Sequence, residues 1–166
     1  MLETQPEFNL KPLKIYGGWH IHFNHFSNLE PDNDYPKEDV CLCFTEDISY
    51  FTYGDERSKK CGMPSYFIDL GFTEGLYLNG KKGFFQLVVA QGDFIKGIVY
   101  EYFISRSTDE IQDKINTYIQ LISTGKITKY KGLTFDGEAI EGFAYNDFLF
   151  SATEGIKERF HRERYF

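Results

Sequence analysis

Three of the four histidines of this 166-residue chain lie within six positions, in the stretch GGWHIHFNHF near the N-terminus. Alternate residues of a β-strand share a face, so His20 and His22 are expected to point the same way. The opposite face then carries Trp19, Ile21 and Phe23. Two neighbouring imidazoles are suited to metal chelation or to acid–base catalysis, and either role would make the protein an enzyme.

A metal site requires more ligands than this pair supplies. A catalytic zinc ion needs three protein ligands, and a structural one needs four. His25 is at an odd spacing and serves as a third ligand only if the strand bends, while the next histidine is His161. The sequence has no H-E-x-x-H motif and no second pair of closely spaced cysteines. We therefore predict no metal site and no cofactor.

Acid–base cleavage of RNA needs fewer residues, and His20 with His22 or His161 are the candidates. Such an enzyme also needs cations around the scissile phosphate. Residues 1–56 hold eleven carboxylates and three lysines, a net charge of −8, whereas the rest of the chain carries +1. This charge opposes direct nucleic-acid binding. We predict a strand without catalytic function, and a small hydrolase or ribonuclease using His20 and His22 remains the alternative.

The cysteines and the hydropathy of the chain indicate its cellular compartment. The chain lacks a positively charged start followed by an apolar run, and no run approaches 18 apolar residues, which predicts a cytoplasmic protein without membrane contact. Cys41, Cys43 and Cys61 are then expected to be reduced. The C-x-C pair fits buried core residues better than a metal or redox site.

The composition indicates one globular domain, because 42% of the residues are hydrophobic and 26% are charged. Residues 1–12 are expected to form a loose lead-in. Apolar runs predict strands at 13–26 (broken at the two glycines), 40–44, 66–72, 84–91 and 94–105, while residues 45–53 fit a helix or a strand. Turn signals at Asn79-Gly80 and Gly92-Asp93 predict antiparallel pairing.

Helices are predicted in the last third of the chain. Ser107 to Glu110 form a capping box, isoleucines recur at helical spacing, and Gly125 is a C-terminal cap, which together predict a helix over 107–124. A second helix is expected at about 151–164. The predicted fold is therefore α+β, a single domain with a mostly antiparallel β-sheet covered on one face by helices.

The pattern resembles bacterial immunity proteins of contact-dependent growth inhibition and related polymorphic toxin systems. The resemblance covers roughly residues 16–50 and 83–122. It includes a Gly92-Asp93-Phe94-x-x-Gly97 turn that leads into a strand and an Ile-rich helix. It also includes an opening strand of the form Gly-Trp-x-x-x-x-Asn-x-Phe, at Gly18, Trp19, Asn24 and Phe26. An acidic, proline-containing loop follows, with Leu29, Glu30 and Pro31.

The resemblance implies a non-enzymatic protein that binds and neutralises the C-terminal domain of a cognate toxin. Many such toxins are nucleases, whose substrate surfaces are basic. We therefore expect contact through the acidic region and its flanking aromatic residues Phe26, Tyr50 and Phe51. The predicted toxin-binding residues are Glu30, Asp32, Asp34, Tyr35, Glu38, Asp39, Glu46 and Asp47.

Overall fold

The structure is a computed structural model that describes residues 9–32, 42–54, 60, 65–92, 98–127, 131–135, 138–141 and 143–144. A six-stranded antiparallel sheet has the order β1-β2-β3-β4-β5-β8, and β6 pairs with β7 in a separate sheet. The strands are β1 (Trp19–Asn24), β2 (Ser49–Tyr53), β3 (Tyr66–Leu78), β4 (Lys81–Gln91), β5 (Ile98–Ser105), β6 (Lys131–Phe135), β7 (Glu138–Glu141) and β8 (Phe143–Ala144). Helix α1 spans Thr108–Ser123. The predicted α+β class with an antiparallel sheet is confirmed.

The β3–β4 hairpin forms the centre of the sheet. Both strands contain Phe and Leu, with Ile in β3 and Val in β4, and such side chains favour extended backbone when they pack on neighbouring strands. Asn79 and Gly80 have φ angles of 51° and 77°, the left-handed values of the tight turn that matches strand twist. The sequence prediction of a turn at this dipeptide is therefore confirmed.

Both ends of helix α1 are closed by local hydrogen bonds. The Ser107 side chain accepts from the Glu110 amide at 3.4 Å. The Glu110 carboxylate accepts a hydrogen bond from the Ser105 hydroxyl. The Ser105 hydroxyl oxygen in turn accepts from the Ser107 amide at 2.9 Å. Ser105 therefore links the two residues of the capping box. At the other end Gly125 is left-handed, with φ 66°, and Lys126 N–H donates to the Leu121 carbonyl at 2.8 Å. This Schellman geometry ends the helix as predicted.

Helix α1 packs on the sheet through its isoleucine stripe. Ile111, Ile115, Ile119 and Ile122 are at most 3% exposed and join the buried cluster of β2, β3 and β4. A polar contact fixes the same interface, because the hydroxyl of Tyr118 donates to the buried Glu101 carboxylate at 2.7 Å. The stripe and the sheet therefore form one core, as the periodicity predicted.

The central strands β3, β4 and β5 are buried on both faces, whereas the sequence predicted helices over one face of the sheet. The face opposite α1 carries a second cluster of buried side chains from β3, β4 and β5, among them Phe67, Phe84 and Tyr102, each 1% exposed. The predicted helix at about 151–164 lies outside the described residues.

A β-bulge changes the alternation of side chains along β5. In β5 the register shifts between the partners of Val89 and Ala90, which makes Tyr100 the extra residue. Tyr100 therefore joins the cluster under α1, while Val99 joins the opposite cluster with Tyr102. A bulge adds one residue to one strand, so every later side chain changes face.

Two segments differ from their predicted structure, and a third had been left open between helix and strand. Residues 42–44, expected in a strand, form turns and bends, and Cys43 is buried at 4% exposure as a core residue. Of the ambiguous 45–53 segment, residues 49–53 form strand β2, while residues 45–48 are in neither a helix nor a strand. Residues 9–12, expected to be loose, are held by bonds such as Lys11 N–H to the Phe26 carbonyl at 2.9 Å and Gln112 Nε2 to the Pro12 carbonyl at 2.6 Å.

Replacing Ile115 with Ala removes a fully buried side chain between the helix and the sheet. We expect this substitution to lower the free energy of unfolding by about 2–4 kcal/mol through lost burial and the cavity left behind. Chemical denaturation measures the change, with Gln120→Ala on the exposed face of α1 as a control that costs less than about 0.5 kcal/mol. Equal costs at the two positions would contradict the packing of the stripe.

Candidate functional site

The histidines of β1 lie on an exposed edge of the sheet. His20 is the register partner of Thr52, and His22 Nε2 is 2.9 Å from the Thr52 hydroxyl. The two imidazoles thus lie on the same face, as predicted. A bulge between Ile21 and Phe23 makes His22 the extra residue, so Phe23 moves to the histidine face and does not lie opposite it as predicted.

Aromatic contacts occupy two of the three imidazoles. The His22 ring lies 4.9 Å from the ring of Tyr50, and His25 stacks on Phe23 with 6.3 Å between ring centres. Within the described part of the chain, no three histidine, cysteine or carboxylate side chains come together as a ligand set for a metal ion. His161, Cys41 and Cys61 lie outside the described residues. The described histidines therefore form a polar and aromatic strand surface.

Glu30, predicted to bind a toxin, holds the start of helix α1. Its Oε1 accepts from the Thr108 amide at 3.1 Å and from the Thr108 hydroxyl at 2.6 Å. A carboxylate at a helix N-terminus satisfies free amides and interacts favourably with the helix dipole. Glu30 is half-buried there, so its negative charge is used within the fold.

Asp32 has a similar internal role on the neighbouring hairpin. It lies 2.7 Å from Arg106 Nη2 and 3.2 Å from Lys81 Nζ, and Arg106 also donates to the carbonyls of Lys82 and Gly83. The hydrogen bond from Arg106, followed by that from Lys81, holds the pKa of Asp32 below its ordinary value. Asp32 thus ties the acidic loop to the β3–β4 hairpin.

The remaining predicted residues divide into two groups. Asp34, Tyr35, Glu38 and Asp39 lie outside the described residues. Glu46 and Asp47 are exposed, and no cation of the described chain lies within ion-pairing distance of either carboxylate. Of the flanking aromatics, Phe26 and Phe51 are at most 1% exposed, so these two belong to the core and are not available as anchors.

The turn that carries Glu46 and Asp47 is fixed against β3, and we call residues 45–47 the acidic turn. The Thr45 carbonyl accepts from the Phe72 amide at 2.7 Å, and Ile48 N–H donates to the Leu70 carbonyl at 2.8 Å. Between these bonds lies Gly71, where an added Cβ would stand 2.1 Å from the Glu46 carbonyl oxygen. Glycine is therefore required for this close approach, and the acidic turn has a defined position.

A cleft of about 670 Å³ opens beside the acidic turn. The half-buried ring of Phe44 and the buried ring of Phe72 contribute its apolar part, and their centroids are 5.1 Å apart in an edge-to-face contact. Glu46 and Glu74, both exposed, are also among its lining residues. The cleft therefore combines aromatic surface with negative charge.

Sequence reasoning missed Glu74 and the cleft. The signal was the Thr73-Glu74-Gly75 interruption of an apolar strand, because a charged residue followed by glycine inside a strand is typical of a bulge. The β3–β4 register does shift between Thr73 and Tyr77. The cleft lies at this irregularity.

Comparison with protein-family models, with curated proteins and with solved structures gives no match. None of the described helices combines the length and apolar character needed to cross a membrane. The chemistry of the site therefore has to be argued from its own residues.

Replacing Glu30 with Ala removes the acceptor for the Thr108 amide and hydroxyl. We expect a loss of about 1–2 kcal/mol in the free energy of unfolding, the usual cost of losing a helix cap or a charged hydrogen bond. Urea denaturation measures it, and Glu46→Ala is the matched control, with a change below about 0.5 kcal/mol. A larger loss for the Glu46 variant would show that the two roles are reversed.

The depressed pKa of Asp32 predicts a pH-dependent contribution to stability. The contribution is fully present above the ordinary aspartate pKa of about 3.9 and is lost as the pH falls through the lower pKa of the folded state. Asp32→Asn should therefore be less stable than the wild type at neutral pH and equal to it in strong acid. Denaturation at a series of pH values tests this, with the exposed Asp113→Asn as control. A stability difference that is the same at every pH contradicts the ion pairing.

Proposed function

We propose that this protein is a non-enzymatic immunity protein that binds and neutralises a basic toxin domain, a nuclease, in the cytoplasm. The observation that carries the proposal is a surface of exposed carboxylates without described cation partners, Glu46, Asp47 and Glu74, around or next to the aromatic cleft. We call these three residues and the cleft the acidic surface. It belongs to a chain whose N-terminal third is strongly negative.

The division among the carboxylates supports the proposal. Glu30 and Asp32 already have internal partners: Glu30 accepts hydrogen bonds from Thr108 at the start of α1, and Asp32 is paired with Arg106 and Lys81. Glu46 and Asp47 face solvent on a turn held rigidly by β3. These charges are not balanced by a cation of the described chain, so an oppositely charged partner is attracted to them. A basic protein surface is the complementary partner.

A nuclease has the required surface, because its substrate-binding site must attract phosphates. Carboxylates placed like phosphates raise the rate of association with such a site by long-range attraction. The rings of Phe44 and Phe72 would supply contact area that excludes water from the centre of the interface. Fast capture followed by a desolvated contact is suited to neutralising a catalytic toxin.

A hydrolase acting through His20 and His22 is the second candidate. The contact of 2.9 Å between His22 Nε2 and the Thr52 hydroxyl is of the kind that activates a nucleophile. In catalytic sites a third group usually orients the base, and no carboxylate of the described chain hydrogen-bonds to either imidazole. Ribonuclease activity that is lost in the His20→Ala His22→Ala variant would support this candidate over the first.

Growth rescue tests the proposal directly. The polypeptide encoded immediately upstream should arrest growth of a bacterial host when its C-terminal region is expressed, and coexpression of this protein should restore growth. Glu46→Lys should weaken binding by about tenfold or more, since loss of one charged contact at an interface costs 1.4 kcal/mol or above, and should reduce protection.

Asp113→Lys is the matched control for this experiment. It makes the same change in net charge at an exposed position of α1, and it should protect as well as the wild type. Protection that is equal for Glu46→Lys and Asp113→Lys, or no toxicity of the upstream product, would contradict the proposed function or its site.

A further inference from the structure

Strand β3 is longer than the strand beside it. β2 pairs with β3 only over residues 66–70, and the acidic turn adds one bond at Phe72. Beyond Phe72, the described residues that pair with β3 all belong to β4. Among the residues that the structure describes, the side of β3 that faces the cleft is therefore an open strand edge from Thr73 onward.

The backbone at this edge is irregular and exposed. Thr73 pairs with Phe84 and Tyr77 pairs with Lys82, so residues 74–76 stand opposite Gly83 alone. Gly83 has φ 80°, and an added Cβ there would stand 2.7 Å from the Phe72 ring. The bulge is therefore built on a glycine over which an aromatic ring packs. It leaves the amides and carbonyls of residues 74–76 without register partners among the described strands.

The side chains around the edge favour a basic occupant. Glu74 is exposed at the bulge and Glu46 is exposed on the acidic turn, and both line the cleft together with Phe44 and Phe72. An arginine or lysine side chain is stabilised both by carboxylates and by the face of an aromatic ring. Lys81, at the end of the hairpin, already pairs with Asp32, which it shares with Arg106.

We infer that the β3 edge at residues 73–76 is a docking site for an extended, arginine- or lysine-bearing segment of the partner protein. The segment adds a strand to the sheet and places a cationic side chain in the cleft between Glu46 and Glu74. Main-chain hydrogen bonds supply affinity in this mode, and the side-chain pocket supplies specificity. The inference deepens the proposed function, and the identity of the partner rests on it.

A second copy of this chain is a poor occupant of the same edge. The chain has a net charge of −7, and pairing two copies through β3 would bring the carboxylates of both acidic surfaces together. Like charges placed opposite one another across paired strands are destabilising. The charge of the cleft thus selects a basic partner over self-association.

A peptide experiment tests the docking site without the toxin. The probe is a capped peptide, Thr-Val-Arg-Val-Arg-Val-Thr, added to the full-length ¹⁵N-labelled protein. Binding should shift the amide resonances of Phe72, Glu74 and Leu76 and slow the hydrogen exchange of Glu74 and Leu76, since the Phe72 amide is already bonded to the Thr45 carbonyl. The matched peptides are one with both arginines replaced by glutamate and one with alternate amides N-methylated, which keeps the charge and removes strand pairing.

Each control peptide should bind the wild-type protein at least about tenfold more weakly than the arginine peptide does, because one has lost its positive charge and the other its strand pairing. The arginine peptide should bind Glu74→Lys more weakly by a similar factor. Asp113→Lys should bind like the wild type. Equal binding of the N-methylated peptide, shifts confined to other strands, or no binding would overturn the inference.

The two proposals fail in different ways. If the arginine peptide does not bind but Glu46→Lys abolishes protection from the toxin, the strand-pairing mode is wrong and the proposed function stands. If the peptide binds at β3 but the wild-type protein gives no protection from the upstream toxin, the docking edge stands and the proposed function is wrong.

Discussion

The contact between the Glu46 carbonyl and Gly71 sets the geometry of the whole acidic surface. Only glycine permits this approach, since a Cβ at position 71 would stand 2.1 Å from the oxygen. The contact brings the acidic turn against β3 at the point where β2 no longer covers it. The cleft, the open strand edge and the exposed carboxylates all follow from that position. A rigid site of this kind binds without first ordering a loop, which lowers the entropic cost of association.

The carboxylates of the N-terminal region serve two purposes that their charge alone does not distinguish. Glu30 and Asp32 stabilise the fold, one at the start of α1 and the other between Arg106 and Lys81. Glu46, Asp47 and Glu74 make no ion pair with the described residues and give the surface its field. Only the second group of carboxylates is therefore available to a binding partner.

The sequence predicted the features that depend on local signals, which include the Asn79-Gly80 turn, both caps of α1 and its isoleucine stripe. It did not predict the bulges at His22, Tyr100 and residues 74–76, because an extra residue in one strand is decided by the register of its neighbour. The charge pattern pointed to Glu46 and Asp47. It could not show that Glu30 binds Thr108, 78 residues further along the chain, or that Glu74 faces the same cleft as Glu46, because both depend on tertiary contacts.

The dependence of the association rate on salt tests the central claim most directly. Stopped-flow mixing of the purified protein with the C-terminal domain encoded upstream should give a rate constant that falls steeply as the ionic strength rises, because electrostatic steering is screened within a Debye length of about 8–10 Å. Reversal of charge at both Glu46 and Glu74 should flatten that dependence. A rate constant that is independent of salt for the wild type, or equally salt-dependent in the double variant, would contradict recognition through the acidic surface.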